Sequence, residues 1–301
     1  MDLRLQSIGN AGSLTGTIVL GLTSKAAAAG LTDLALASKS VAVTGAAYDL
    51  AKADLSTTTL TLGNVRVADV ATVDVTNTVI TNALYQDKLD VAASGANANL
   101  TVSSPARVAA GTTGQIGVTA AKAGVLADTV SVGLTSNANG VLGLTNLALA
   151  GQSVAVTGVA YDYAQPTVAS ALALGNVRPN SAATLAVANT VVTDALFQDS
   201  LDVVAGTAIG NLLLTNPANL AAGQSGVVGV AIGDAGSLAG TIVLGLTSKA
   251  LAGTGLTDLA LAGKTVAVTG AAYDYAKADL STTTLALGNV RVADVAAVDV
   301  T

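Results

Sequence analysis

The chain has 301 residues, of which 51% are hydrophobic but only 2% aromatic, and its formal net charge is −6. Its 13 Lys and Arg residues are scattered, so the basic patch typical of nucleic-acid binding is missing. The sequence contains no Cys, His or Glu, which excludes a disulfide framework, a thiolate metal site and Ser-His-Asp or Cys-His catalysis.

The first two predicted strands are "GTIVLGLTS" from Gly16 and "SVAVTG" from Ser40. Between them, "KAAAAGLTDLALA" from Lys25 is predicted to be a loop leading into a strand, although Ala favours helix locally. The segment "GTIVLGL" recurs from Gly240, so we interpret it as a repeated element and not as a signal peptide. Any export signal is expected to lie outside this chain, and no run of about 18 residues is apolar enough to predict a membrane span.

The next strands follow the same pattern of alternating apolar and polar residues. In "TLTLGNVRVADVATVDVTNT", residues 59–78, the alternation is predicted to break at Gly63-Asn64. The segments "ANLTVSS" from Ala98 and "GQIGVTAA" from Gly114 add two more strands, with turn residues between them. About seven short strands in each repeated unit predict an all-β fold made of Ig-like β-sandwiches.

The sequence repeats itself with a period of about 112 residues. "GLTS" begins at Gly21, Gly133 and Gly245, and residues 31–76 match residues 256–301 at 41 of 46 positions. A unit of this length is the size of a whole small domain and much longer than a solenoid repeat. We therefore expect separate sandwich modules, each with its own core, arranged end to end.

The motif "AYD", which follows "VAVTG" in each copy, is used to place the module boundaries. Residues 48–160 and 161–272 are then predicted complete modules, residues 1–47 the last part of an incomplete module, and residues 273–301 the first part of another. About 35 residues, corresponding roughly to 77–111, are missing from the two end parts taken together. The tyrosines of the motif are expected to pack between neighbouring modules: Tyr48, Tyr161 and Tyr273.

The run "LTLGNVRVADVATVDVTNTVITNALYQDKLDV", followed later by "LAAGQSG", "GTIVLGLTS" and "VAVTGAAYDYA", resembles the choice-of-anchor D type of bacterial Ig-like repeat. That family is similar to the ASH/HYDIN class of Ig-like domains. Its "GNVRVGD" turn has Ala68 and Ala293 in place of the last Gly here, and the middle copy reads "NVRPNSAA". The resemblance covers nearly the whole chain. It implies tandem Ig-like modules of exported bacterial surface proteins, and it carries over no catalytic residues.

Asp87 and Asp90 are the best candidate ligands, and the pair recurs as Asp199 and Asp202. Carboxylates with a nearby carbonyl suit calcium, which prefers oxygen ligands. The alternative is an exposed loop that turns into a strand.

Arginines after "GNV" are expected to pair with a turn carboxylate such as Asp69, or else to form a recognition surface: Arg66, Arg178 and Arg291.

The nearly identical copies favour a role that depends on length, because a spacer is useful many times whereas a catalytic domain is needed once. The sequence predicts a non-enzymatic structural repeat protein of an extracellular bacterial fibre, adhesin stalk or surface layer. Its expected partners are other copies of itself or neighbouring modules, with head-to-tail joining through the incomplete ends as a further hypothesis. The alternative is an Ig-like surface module that binds calcium or carbohydrate.

Overall fold

A computed structural model describes residues 8–95 and 98–300 of the chain. In these residues the regular structure is β-strand, apart from two 3-10 turns of three residues each. The described chain divides into two compact units after Asp162, and each is treated by itself below.

The first unit opens with a hairpin of two long strands. β1 (Gly12–Ser24) and β2 (Leu34–Ala47) pair antiparallel as a two-stranded sheet. The predicted loop before the second strand is confirmed. It is closed by Asp33, whose carboxylate accepts hydrogen bonds from Lys25 Nζ at 2.6 Å and from the Ala26 N–H at 2.9 Å. The hydrogen bond from Lys25 lowers the pKa of Asp33.

The rest of the first unit is a sandwich of two sheets. One has the order β3-β5-β8-β7; the other has the order β6-β9-β11-β4, with the short β10 beside β9. All neighbours are antiparallel except β4 and β11, which run parallel. The strands are β3 (Ala53–Leu55), β4 (Thr59–Arg66), β5 (Val70–Asn77), β6 (Lys88–Ser94), β7 (Leu100–Ser103), β8 (Thr113–Ala120), β9 (Gly124–Asn137), β10 (Leu147–Ala148) and β11 (Gln152–Tyr161).

Alternate residues of the two sheets face each other and form the core. Val73, Val75 and Ile116 from the first sheet pack with Leu89 and Val130 from the second, and each is at most 1% exposed. Apolar surface removed from water is the main stabilising contribution to such a sandwich. The prediction of Ig-like β-sandwich modules is confirmed, because two facing sheets of four main strands each enclose one core.

The alternation breaks at Gly63-Asn64 as predicted, but the strand does not end there. β4 continues through both residues, and the pairing register to β11 shifts there by one residue, which makes a β-bulge. Gly63 has a φ of 66°, a left-handed conformation that glycine adopts without strain. The strand ends only at Arg66, just before Ala68, whose φ is 75°.

The second unit contains a sandwich of the same design. Its sheets have the orders β12-β14-β17-β16 and β15-β19-β20-β13, with β18 beside β20, and β13 runs parallel to β20. Its core contains Leu201, Leu238 and Ile242, all fully buried. The strands are β12 (Pro166–Val168), β13 (Ala171–Val177), β14 (Ala182–Asn189), β15 (Ser200–Thr207), β16 (Leu212–Thr215), β17 (Ser225–Ile232), β18 (Gly236–Ser237), β19 (Gly240–Lys249) and β20 (Leu259–Ala272).

Residues 273–300 contain no strand, although their sequence corresponds to β3–β5 of the first unit. Residues 281–300 match residues 56–75 at all but two positions. An isolated bridge between Leu280 and Val300 repeats the pair that Leu55 and Val75 form in the first unit. The difference has a physical reason, because a strand is stable only with neighbours on its edges and a core on one face. The module boundaries at residues 48, 161 and 273 stay predictions.

Candidate functional site

Each sandwich contains a buried group of polar side chains, here called the polar cluster. In the first unit it is centred on Asn77, the last residue of β5, which is fully buried. Asn77 Nδ2 donates to the carbonyl oxygens of Asp87 at 2.9 Å and Val108 at 3.3 Å. Its Oδ1 accepts from the Lys52 N–H at 3.0 Å and from Gln86 Nε2 at 3.1 Å. Both donors and both acceptor positions of this amide are therefore satisfied, as burial requires.

The other members of the polar cluster are Gln86, Asp87 and Ser136. Gln86 Oε1 accepts from the Ile80 N–H at 2.9 Å, which fixes the segment after β5. The Ser136 hydroxyl donates to Asp87 Oδ2 at 2.7 Å and accepts from the Ala51 N–H at 2.8 Å. The cluster thus ties the segment before β3, the end of β5 and the start of β6 to strand β9.

The second unit repeats the polar cluster with Asn189, Gln198, Asp199 and Ser248. Gln198 Nε2 donates to Asn189 Oδ1 at 3.0 Å, and Asn189 Nδ2 donates to the Asp199 carbonyl oxygen at 2.9 Å. The Ser248 hydroxyl donates to Asp199 Oδ2 at 2.7 Å and accepts from the Ala164 N–H at 2.8 Å. The Asn, Gln and Ser members were not among the residues predicted from the sequence to form a site. Their retention in both copies, at positions otherwise typical of exposed turns, was the available signal.

The structure places Asp87 and Asp90 on opposite faces of the chain around β6. Side chains alternate along a strand, so the buried Asp87 shares the inner face with Leu89, whereas Asp90 lies on the outer face. Asp199 and Asp202 have the same arrangement around Leu201. In the described residues no group of three or more His, Cys, Asp or Glu side chains is arranged to hold a metal ion. Calcium binding at these four aspartates stays a prediction.

Asp90 belongs to a surface group of its own. It accepts a hydrogen bond from Arg107 Nε at 2.7 Å and another from the Asn137 amide. Partial burial of Asp90 raises the pKa of its carboxyl, but the hydrogen bonds from Arg107 and Asn137 and the charge of Arg107 together lower it below the ordinary value. In the second unit the positions of Arg107 and Asn137 are occupied by Asn219 and Lys249. The surface group is therefore not repeated, in contrast to the polar cluster.

One further buried carboxylate lies beside the polar cluster. Asp49 accepts a backbone hydrogen bond from Asp87 N–H at 2.9 Å, and the buried Oδ2 of Asp49 has no hydrogen-bond partner in the described structure. The equivalent oxygen of Asp162 is also buried without one. A buried carboxylate oxygen without a partner destabilises the fold.

The "GNVR" arginines hold the backbone near the ends of the modules. Arg178 Nη1 donates to the carbonyl oxygens of Tyr273 at 3.0 Å and Asp274 at 2.6 Å, and its guanidinium lies 4.4 Å from the ring centre of Tyr275. Arg66 is buried, and the carboxylate of Asp69 accepts a hydrogen bond from its backbone N–H at 2.8 Å.

Arg291 repeats the backbone contact of Arg66, because its N–H donates to Asp294 Oδ2 at 2.8 Å. In these two contacts the carboxylate of the turn accepts a hydrogen bond from the backbone N–H of the arginine and not from its guanidinium.

The motif tyrosines differ in their surroundings. The Tyr48 ring packs against Tyr85 with centroids 5.6 Å apart and planes inclined by 58°. Tyr273 is 55% exposed. Packing of these tyrosines between modules stays a prediction.

A surface concavity of about 610 Å³ is lined by Asp74, Pro105, Arg107 and Gln115, among others. Gln115 Nε2 donates to Asp74 Oδ1 across it at 3.0 Å. Arg107 is already engaged with Asp90. These polar groups of the lining are therefore already paired and do not converge on the open space.

No family model and no curated protein matches the chain. Among solved structures, it is similar to the I-band fragment I67–I69 from titin, with 8% identity and a TM-score of 0.30 over 72% of this chain and 65% of that one. It is also similar to the D00–D0 domain of intimin, with 12% identity and a TM-score of 0.30 over 71% of this chain and 99% of that one. A third is surface layer protein SbsC, domains 4–9, with 15% identity and a TM-score of 0.25 over 90% of this chain and 37% of that one.

In the described residues no helix is long and apolar enough to span a membrane.

Proposed function

We propose that this chain is a structural repeat protein, a length of Ig-like modules from an extracellular bacterial fibre, adhesin stalk or surface layer. The resemblance to choice-of-anchor D repeats implies an exported surface protein, and the cysteine-free composition is compatible with that location. The modules act as spacers, and their partners are neighbouring modules and further copies of the chain.

One observation carries the proposal: the two modules share their interior but not their surface chemistry. The polar cluster is repeated bond for bond, with the Ser136 and Ser248 hydroxyls each 2.7 Å from their carboxylates. The outer group of Asp90, Arg107 and Asn137 is not repeated with the same bonds in the second module, where Asn219 and Lys249 replace its partners and Lys249 pairs with Asp258. If each copy serves as a folded spacer and not as a surface binding site, we expect the buried network to be repeated and the surface groups to differ.

The test is a length series. A chain with a second copy of residues 161–272 inserted after residue 272 is compared with the original by small-angle X-ray scattering. We expect the maximum dimension to grow by a constant increment for each added module, with unchanged unfolding of the other modules. A compact particle whose maximum dimension does not grow would contradict a spacer role.

Ligand dependence separates this proposal from the alternative of a calcium-binding surface module. A ligand that binds only the folded state raises the melting temperature. We expect the same melting temperature in calcium and in a chelator, both for the original chain and for Asp90→Asn. A rise in calcium that Asp90→Asn abolishes, and that the exposed control Asp54→Asn keeps, would instead favour the binding module.

The proposal assigns no catalytic step to the chain. Turnover of any substrate that a single Asp substitution abolishes, with the fold retained, would contradict it.

A further inference from the structure

The hairpin β1–β2 has an apolar face that is covered in its two counterparts and uncovered here. Val154 and Val266 are fully buried in β11 and β20, whereas Val41, at the same position of β2, is 49% exposed. Four apolar residues on one face of β1 are only half-buried, whereas their counterparts in the two complete modules are at most 4% exposed: Leu14, Ile18, Leu20 and Leu22. The hairpin contributes no residue to either core cluster.

The hairpin nevertheless has the geometry of its counterpart β19–β20. Ile18 pairs with Val41 as Ile242 pairs with Val266, and both hairpins have a register shift at the same place. Their loops are closed by the same ion pair, Lys25 with Asp33 and Lys249 with Asp258. The hairpin is therefore a preformed pair of module strands, equivalent to β19 and β20.

The free edge of β2 corresponds to an edge that is occupied in both complete modules. In the first module β4 pairs in parallel with β11, with Thr59 opposite Ala155. In the second, β13 pairs in parallel with β20, with Ala171 opposite Ala267. In both modules the added strand carries the "LGNV" sequence. In the described residues the edge of β2 away from β1 pairs with no strand.

The segment 284–291 has the sequence of β4 but lacks the partner that β4 has. It reads "TLALGNVR" against "TLTLGNVR" in β4, and Leu285 and Leu287 are 47% and 50% exposed. The corresponding Leu60 and Leu62 pack against the first core. Gly288 has a φ of 59°, close to the 66° of Gly63, so the backbone of the bulge is already in place.

We propose that residues 284–291 of a second copy of this chain add to the free edge of β2 as a parallel strand. The register follows from β4 on β11: Ala42 lies opposite Thr284, and Gly45 lies opposite Gly288. Leu285 then lies beside Val43 on the apolar face, as Leu60 lies beside Val156 in the first module, so the added strand extends that face. The inference rests on the proposed function, since it gives the structural repeat protein its contact between copies.

A second copy is the occupant because each copy carries one acceptor edge and one donor strand of matching sequence. The contact joins two different surfaces, so each joined copy still presents a free edge and a free strand. Such a heterologous contact continues into a linear assembly unless its geometry closes a ring. Backbone hydrogen bonds along the added strand give the affinity, and the two leucines give the register.

Gly45 provides a steric test of this contact. A Cβ at Gly158 would lie 2.8 Å from the Gly63 carbonyl oxygen, and one at Gly270 would lie 2.6 Å from the Gly175 carbonyl oxygen, so both positions require glycine once the strand is present. At Gly45 an added Cβ meets nothing within 4 Å. A side chain at this position is therefore tolerated by the separate chain and clashes only with a docked strand.

The experiment is sedimentation velocity on the full chain over a range of concentrations. We expect head-to-tail oligomers for the original chain and for Gly16→Val, because Gly16 is open and its counterpart in the first complete module is Asp128. Gly45→Val should raise the concentration needed for assembly at least about tenfold. Leu285→Asp should act in the same way, whereas Val295→Asp should not, because its counterpart Val70 is 64% exposed in a complete module.

Register is tested by disulfide formation, which the absence of native Cys makes unambiguous. A copy with Ala42→Cys mixed with a copy with Thr284→Cys should form a cross-linked pair, and a copy with Leu287→Cys in place of Thr284→Cys should not. A monomer at all concentrations, a disulfide that forms only within one chain when both Ala42→Cys and Thr284→Cys are placed in it, or assembly that Gly45→Val leaves intact would each overturn the inference.

The proposed function is tested separately by the length series. A monomer that lengthens with each added module would leave the spacer role standing and remove only the contact between copies.

Discussion

Gln86 donates a hydrogen bond to Asn77 across 3.1 Å in the interior of the first module, and Gln198 repeats it to Asn189 across 3.0 Å in the second. Both residues of each pair also form hydrogen bonds with the backbone around them. The asparagine accepts from a backbone N–H, and the glutamine donates to a backbone carbonyl oxygen. The pair fixes where the chain leaves one sheet and begins the other.

Replacing the central amide should destabilise its module strongly. Asn189→Ala removes a hydrogen-bond partner from the Gln165 N–H, the Gln198 amide and the carbonyl oxygens of Asp199 and Leu220. Buried polar groups without partners cost about 1–3 kcal/mol each, partly offset by relaxation, so we expect a loss of about 3 kcal/mol or more.

Hydrogen exchange followed by mass spectrometry measures this loss module by module. Protection should fall in residues 163–272 and stay unchanged in the first module. The matched control is Asn176→Ala, an exposed asparagine of β13, and equal effects of the two substitutions would refute the role given to the cluster.

Gly158 should not tolerate a methyl group. In Gly158→Ala the new Cβ would lie 2.8 Å from the Gly63 carbonyl oxygen and 2.9 Å from Leu62 Cβ, so the parallel pair β4–β11 must separate. We expect a loss of about 1–3 kcal/mol in a urea titration. Gly133→Ala in the neighbouring strand β9 is the control, because its Cβ would meet the Ala92 carbonyl oxygen at 3.5 Å and the Ala92 Cβ at 3.8 Å, both ordinary contacts.

Arg178 should control the order of the segment that follows β20 and have little effect on the module itself. Arg178→Ala removes two hydrogen bonds to the backbone and the contact with the Tyr275 ring. An exposed cation–π contact is worth about 0.5–1 kcal/mol, so the change in global stability should be small. Limited proteolysis should show faster cleavage within residues 273–277. Lys277→Ala should behave like the original chain, and protection equal to the original in Arg178→Ala would contradict the assignment.

The Asp90–Arg107 pair should give the first module a component of acid sensitivity. The folded-state pKa of Asp90 lies below its ordinary value, so the stabilisation is fully present above the unfolded pKa of about 3.9 and is lost as the pH falls through the lower folded pKa. The Asp90 side chain is 36% exposed, and solvent screening limits the effect to less than about 1 kcal/mol. The stability difference between the original chain and Asp90→Asn should shrink as the pH falls below about 4. A difference independent of pH over that range would count against this ion pair.

The strands and the repeat could be predicted because they leave periodic signals. Alternating Val and Leu in "GTIVLGLTS" and "SVAVTG" locate long strands, and the recurrence of these segments gives the module length. The bulge at Gly63 could not be predicted, since a Gly-Asn pair in an alternating run is equally typical of a turn. Only the parallel partner β11 decides between the two, and that partner is some ninety residues away in the sequence.

The polar cluster was missed for a similar reason. Asn77, Gln86 and Ser136 look like surface residues in the sequence, and their burial follows from contacts between segments far apart in the chain. For the aspartates, the sequence shows the spacing but not the two faces of the sheet. A spacing of three residues along a strand places Asp87 and Asp90 on opposite faces.

The parallel pairing of β4 with β11 determines how a module responds to a stretching force. The chain enters the pair at Thr59, opposite Ala155, and leaves it at Tyr161, opposite Arg66. A force that pulls on the two ends of the chain therefore acts at opposite ends of the pair. Tension applied along the chain therefore shears the strands past each other and strains their hydrogen bonds together, whereas a hairpin pulled from its open end would unzip one bond after another. β13 and β20 present the same geometry, so each module is built to resist extension along its length.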